Sequence, residues 1–251
     1  MSLIQVQRAT IYDVFKTLIE QSINTREKTS DKDIQQALNL SIILHSACYI
    51  EGFLEYSLLN VLQEYRNLYN KVDISEFEIR KPINMFFSNM ENSIERNISR
   101  SSGLAKYDEN MVLLLNQSIM NIEKVKPHIE TVQVLFQLRN VIAHGKAISG
   151  KAILKVSQML ENDNEIENDI KILEEKFEGG YKKAESYLIK KGLVMNPYFE
   201  EKEIDNIFLD ELFSNCVADH FWDTTTTFVT ELENFINEQR ANLASIPIKI
   251  S

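Results

Sequence analysis

Apolar residues recur along this chain at intervals of three and four, the spacing that lays one stripe of a helix against a core. Ile4, Ile11, Val14, Phe15 and Leu18 predict a first amphipathic helix over residues 3–24. A polar stretch, 24–32, reads as a loop, and Ser30 with Asp33 three residues later predicts the capping pair that opens a second helix. That helix runs over 31–67. Between Leu38 and Leu62 it is apolar around most of its circumference, which predicts a buried central element. Pro82 is expected in the first turn of a helix continued by Ile83, Phe86, Phe87 and Met90, and 99–106 reads as a loop. Met111, Leu114, Leu115, Ile119 and Ile122 predict a helix over 108–125, which Pro127 restarts or kinks. Ile129, Val132, Leu135, Phe136, Leu138, Val141 and Ile142 then carry a helix to His144, where Gly145 supplies a stop.

Beyond Gly145 the pattern changes. Residues 152–156 predict a short strand, 161–178 a heavily charged helix closed by Gly179 and Gly180, and 187–195 a short apolar segment. Large apolar residues are too few in 146–200 for a separate core, so this stretch reads as a small mixed elaboration of one domain spanning 1–251. Ile207, Leu212, Phe213, Cys216, Phe221, Phe228, Leu232, Phe235 and Ile236 predict a last helix over 204–237. The fold class expected is all-α.

Composition agrees. Seven glycines and four prolines in 251 residues fall well below the roughly 7% and 5% of ordinary proteins, and sheet folds with many turns need more of both. A formal charge of −10 discourages indiscriminate binding to nucleic acid or anionic membrane, without forbidding a local basic cleft. Cys48 and Cys216 lie far apart in apolar helical stretches, with no zinc or disulfide spacing, so both read as buried free thiols of a cytoplasmic protein. No secretory signal is visible and no stretch reads as a membrane span, so no membrane association is expected. Without a glycine-rich phosphate loop or paired metal-ligand motif, neither cofactor nor metal is expected.

Candidate chemistry concentrates in Leu138-Arg139-Asn140-Val141-Ile142-Ala143-His144-Gly145, where polar residues interrupt an apolar helix just before its end. Asn140 and His144, four residues apart, differ by about 40° around a helix and share a face. Arg139 and His144, five apart, differ by about 140°, so an undistorted helix does not set them side by side. A loosened last turn, the length of the arginine or a two-fold partner would have to join them. The residue types suit RNA cleavage: a histidine moves protons near neutral pH, and an arginine fork holds charge building on a phosphoryl oxygen. With the ribose 2′-hydroxyl as internal nucleophile no metal is needed. A polar cluster that only caps the helix end is the competing reading.

Arg139-Asn140, three residues and then His144, on a helix ending Ala-His-Gly, resembles the signature of the HEPN superfamily (higher eukaryotes and prokaryotes nucleotide-binding domain). The long upstream helix with His45, Glu51 and Glu55 looks like the one that many of these domains set against the arginine, and the aromatic closing helix (Phe221, Phe228, Phe235) suits their bundle. The resemblance covers most of 35–145 plus 205–237. It implies a homodimer in which two motif helices meet across a two-fold axis. It also implies a metal-independent endoribonuclease acting on RNA as a toxin or anti-phage effector, with an antitoxin or regulatory protein as a further candidate partner. The alternative is a non-catalytic member that binds RNA, nucleotide or protein. Residue by residue, Arg139 would stabilise phosphate charge, His144 would act as acid or base, Asn140 would position substrate or His144, and Glu51 would pair with Arg139 or sit at an exposed edge. The subfamily paired with nucleotidyltransferase antitoxins has a Tyr two residues after the His. Here that position is Lys146. Candidates for the apolar contact between subunits are Val141 and Ile142, which flank the polar residues, and the long helix around Tyr49 and Phe53 alongside them. His45, His128 and His220, and the pairs Lys182-Lys183 and Lys190-Lys191, read as structural or solvated.

Overall fold

The structure, a computed structural model, describes residues 3–71, 77–100, 103–143, 181–194 and 211–244. All regular structure among them is helical: α1 (Leu3–Arg26), α2 (Lys32–Lys71), α3 (Phe77–Arg100), α4 (Ala105–Leu115), α5 (Ile129–Ala143), α6 (Tyr181–Lys190) and α7 (Asn215–Ala244). The strand expected at 152–156 and the charged helix at 161–178 lie outside the described residues.

Helix α2 is the centre of the bundle, touched by α1, α3, α4, α5 and α7. The reason is its sequence: Ile42, Ile43, Ala47, Ile50, Leu54, Leu58 and Val61 are all buried, on more than one face. No charged residue falls between Asp33 and Glu51. That corrects the expectation that no stretch is apolar enough for a membrane, because α2 meets that test by length and composition. Half of its most apolar window is buried inside the bundle, as in the core helix of a globular fold.

Several boundaries differ from the sequence expectation. The cap of α2 is Asp31, whose Oδ1 accepts from the amides of Asp33 (3.0 Å) and Ile34 (3.2 Å), so the Ser30–Asp33 pairing is corrected by one residue. Pro82 lies inside α3, beyond its first turn. The helix expected to reach 125 stops at Leu115, because Asn116 turns left-handed at φ 52°. Asp108 then holds the chain that follows: its Oδ1 accepts from the Ser118 hydroxyl (2.8 Å) and the Ile119 amide (2.6 Å). Two 3-10 turns, Ile119–Asn121 and Lys126–His128, lead into α5, with Pro127 in the second. The closing helix begins at Asn215 rather than 204. Within the 146–200 elaboration, α6 packs on α5 and buries Ala184, Tyr187 and Leu188 in the common core.

Polar anchors fix the helices. Arg26, buried at the end of α1, donates to Asn39 Oδ1 on α2 (2.8 Å) and to Asp219 Oδ1 on α7 (2.7 Å). Asn39 in turn donates to the Phe213 carbonyl at 2.7 Å. Farther along, Arg240 of α7 forks onto the Glu64 carboxylate of α2. Charged pairs of this kind set the register of packed helices, where apolar contact alone is tolerant.

Candidate functional site

Helix α5 buries Val132, Val134, Leu135, Phe136 and Leu138, turns Glu130 and Thr131 toward α6, and sends Arg139 to α2. Arg139 emerges beside the middle of α2, and its Nη2 donates to Glu51 Oε1 at 2.7 Å. Of the two placements open for Glu51, the structure takes the pairing with Arg139. Both side chains are mostly covered, at 21% and 19% exposure. The guanidinium also lies 5.9 Å from the Phe136 ring, one turn back on its own helix.

A third charge completes the cluster. Lys106, from the first turn of α4, places Nζ 3.8 Å from the same Glu51 oxygen, with its side chain only 7% exposed. Its Nζ also lies over the Tyr107 ring, 4.7 Å from the centroid. Burial pushes the Lys106 ammonium below its ordinary range and Arg139 pushes the same way, while Glu51 and Glu55 act to keep its proton. The Tyr107 phenol is raised, first by burial and then by Glu51 and Glu55, and stays neutral. Cys48, one turn before Glu51, is half-buried, and its thiol is raised by burial and by Glu51, against Arg139. A thiol so placed is a poor nucleophile.

Of the sequence candidates, the structure therefore brings Arg139 and Glu51 together. Asn140 is half-buried on the next position of α5, and His144 lies outside the described residues, as does Gly145. Lys106 was missed, because 99–106 read as a loop. Its signal was available, since Tyr107, Met111 and Leu114 continue one buried face and carry Lys106 and Asn110 with it.

Other expectations change. Tyr49 and Phe53 cannot serve a subunit contact: both are buried, Tyr49 stacked on Tyr12 at 4.7 Å and set against Trp222 at 5.8 Å, with Phe53 also on Tyr12. Ile142 packs against the protein's own core. Cys216 is exposed, at the start of α7, and not buried. His45 and His220 are structural: His45 Nδ1 lies 3.1 Å from the Ser41 hydroxyl, and His220 Nε2 lies 2.8 Å from the Tyr187 hydroxyl. Lys190 reaches Glu130 at 3.6 Å, whereas Lys183 is exposed. Among the described residues no cluster of three or more His, Cys, Asp or Glu side chains could hold a metal ion. Comparison of the chain with known family models, curated proteins and solved structures finds no match.

Proposed function

We propose that this chain is a cytoplasmic, metal-independent endoribonuclease of HEPN type, working as a toxin or anti-phage effector. The observation that carries the reading is the 2.7 Å charged hydrogen bond between Arg139 and Glu51. An arginine that merely capped the end of α5 would turn toward its last carbonyls. Arg139 instead crosses to the central helix and is fixed there by a carboxylate, as a preorganised electrostatic group requires. In this mechanism Arg139 stabilises the charge that builds on the phosphoryl oxygens as the ribose 2′-hydroxyl attacks. His144 moves the proton, and Asn140, four residues before it in the sequence, positions substrate or imidazole. Two chains pair across a two-fold axis and share one cleft, with RNA as substrate.

The test is cleavage of RNA in excess chelator. Products should carry cyclic phosphate or 3′-phosphate ends, DNA should stay intact, and His144→Ala and Arg139→Ala should each lose at least about 100-fold in rate. Full activity of His144→Ala, or strict metal dependence, would end the mechanism. A second reading, a HEPN module that binds RNA, nucleotide or protein without cutting, is favoured by the charge of −10, which repels RNA at long range. Binding without cleavage in the same assay selects it.

A further inference from the structure

Glu51 is shared between two cations, and the sharing leaves a mark on Arg139. Its oxygen Oε1 takes Nη2 of Arg139 at 2.7 Å and faces Nζ of Lys106 at 3.8 Å. An arginine and a carboxylate alone together commonly close a two-pronged fork, with two parallel hydrogen bonds. Here the Nε–H of Arg139 is buried and has no hydrogen-bond partner among the described residues. A buried donor without an acceptor is costly, so something must draw the carboxylate away from the fork. Lys106 is the group placed to do so. It comes from a different helix, it is itself nearly covered, and it approaches the same oxygen.

We propose that Lys106 is a positioning residue of the Arg139 site, which holds Glu51 in a single hydrogen bond to the guanidinium and so leaves Arg139 able to receive a phosphodiester oxygen. Glu51 orients the arginine, and Lys106 keeps it from being neutralised by its own anchor. The groups around the shared carboxylate are Arg139 from α5, Lys106 and Tyr107 from α4, and Cys48 and Glu55 from α2 itself. Among these, Lys106 is the one cation besides Arg139. Its side chain is too covered to offer itself directly to RNA, so it acts through Glu51. The phosphodiester part of this inference rests on the ribonuclease reading above. The sharing of Glu51 does not.

The experiment is a double-mutant cycle on the full chain, using Lys106→Met, Glu51→Gln, both together, and Lys106→Arg. Methionine keeps most of the buried stem, and far-UV circular dichroism confirms that each variant is folded. Two readouts are taken: the side-chain Nε–H resonance of Arg139, and steady-state cleavage of an RNA oligonucleotide. In Lys106→Met the carboxylate is expected to close onto the fork. The Nε–H signal then moves to the shifted, slowly exchanging position of a hydrogen-bonded donor, and kcat falls by about ten-fold with KM nearly unchanged. Lys106→Arg should restore both. In the Glu51→Gln background Lys106→Met should add nothing, because the residue acts through that carboxylate. An Nε–H signal identical in wild type and Lys106→Met overturns the proposal, as does strict additivity of the two substitutions. A shifted Nε–H in a set of proteins that cut no RNA leaves the sharing of Glu51 standing and removes the ribonuclease reading instead.

Discussion

At the scale of single residues, removing either member of the Arg139–Glu51 pair is not the same experiment. Arg139→Ala leaves Glu51 with Lys106 still 3.8 Å away, a carboxylate that keeps one counter-ion. Glu51→Ala leaves Arg139 and Lys106, two largely covered cations, with the charge between them gone. Breaking a covered charged hydrogen bond costs about 2 kcal/mol, and unmatched like charges add to it. Glu51→Ala is therefore expected to lower stability by about 2 kcal/mol and Arg139→Ala by about half of that. Urea unfolding of the two variants measures the order, and a larger loss in Arg139→Ala contradicts it. The half-buried histidines His45 and His220 give a second residue-scale expectation. Burial, then Lys191, lowers the His220 ring against the pull of Asp223, and burial lowers His45. A base depressed in the folded state takes its proton more readily in the unfolded chain. Both rings thus contribute stability that is fully present above a pH of about 6.5 and is lost as pH falls through that value. Thermal melts from pH about 7.5 to about 5 should fall more steeply for wild type than for the His45→Gln/His220→Gln double variant. Parallel curves would show that the rings titrate alike in both states.

At the scale of elements, periodicity found what it is able to find. The stripe of α2 and the apolar face of α5 were legible because burial on a helix leaves a 3.6-residue signature. The end of α4 was not, because Ile119, Ile122 and Val125 stay in helical register and are buried, though the chain that carries them has left the helix at Asn116. What decides there is a side chain reaching over eleven positions, Asp108 to the Ile119 amide, and no window of neighbouring residues contains that information. The Arg139–Glu51 contact was legible in part, since a carboxylate in an apolar stretch of α2 needs a partner. Lys106 was legible only by extending the apolar register of Tyr107, Met111 and Leu114 back into a segment whose Ser and Gly residues read as loop, because the helix that delivers it begins at Ala105. The cap of α2 was missed by a single position: Ser30 and Asp31 are both good capping types, and the backbone chooses Asp31. Asp31→Ala should cost about 1 kcal/mol and Ser30→Ala only a few tenths. Chemical denaturation of the two variants checks it, and equal losses would return the cap to Ser30.

At the scale of the whole molecule, the bundle restricts how two copies could meet. Tyr12 and Trp222 cover the Tyr49–Phe53 face of α2, and the half-buried Ile142 packs against the core, so an interface beside the motif is not built on Tyr49 or Phe53. The geometry of α5 still asks for one under the ribonuclease reading. Arg139 is tied back to α2, and continuing the helix undistorted would put a residue five positions on about 140° away, so on that reading one chain would supply only part of a cleft. A two-fold axis near the end of α5 would set the arginine of one chain against the histidine of the other, because an isologous contact repeats both residues on both sides. Arg139→Ala chains keep His144, and His144→Ala chains keep Arg139. Mixed and reassembled, about half of the dimers hold one of each, with one intact arginine and one intact histidine in the common cleft. The mixture should cleave RNA faster than either parent, and size-exclusion chromatography should place wild type and both variants at twice the chain mass. If each protomer carried a complete site, mixing would leave the rate at the average of the two parents. A wild-type protein that stays monomeric while cutting RNA at full rate sinks the shared cleft outright.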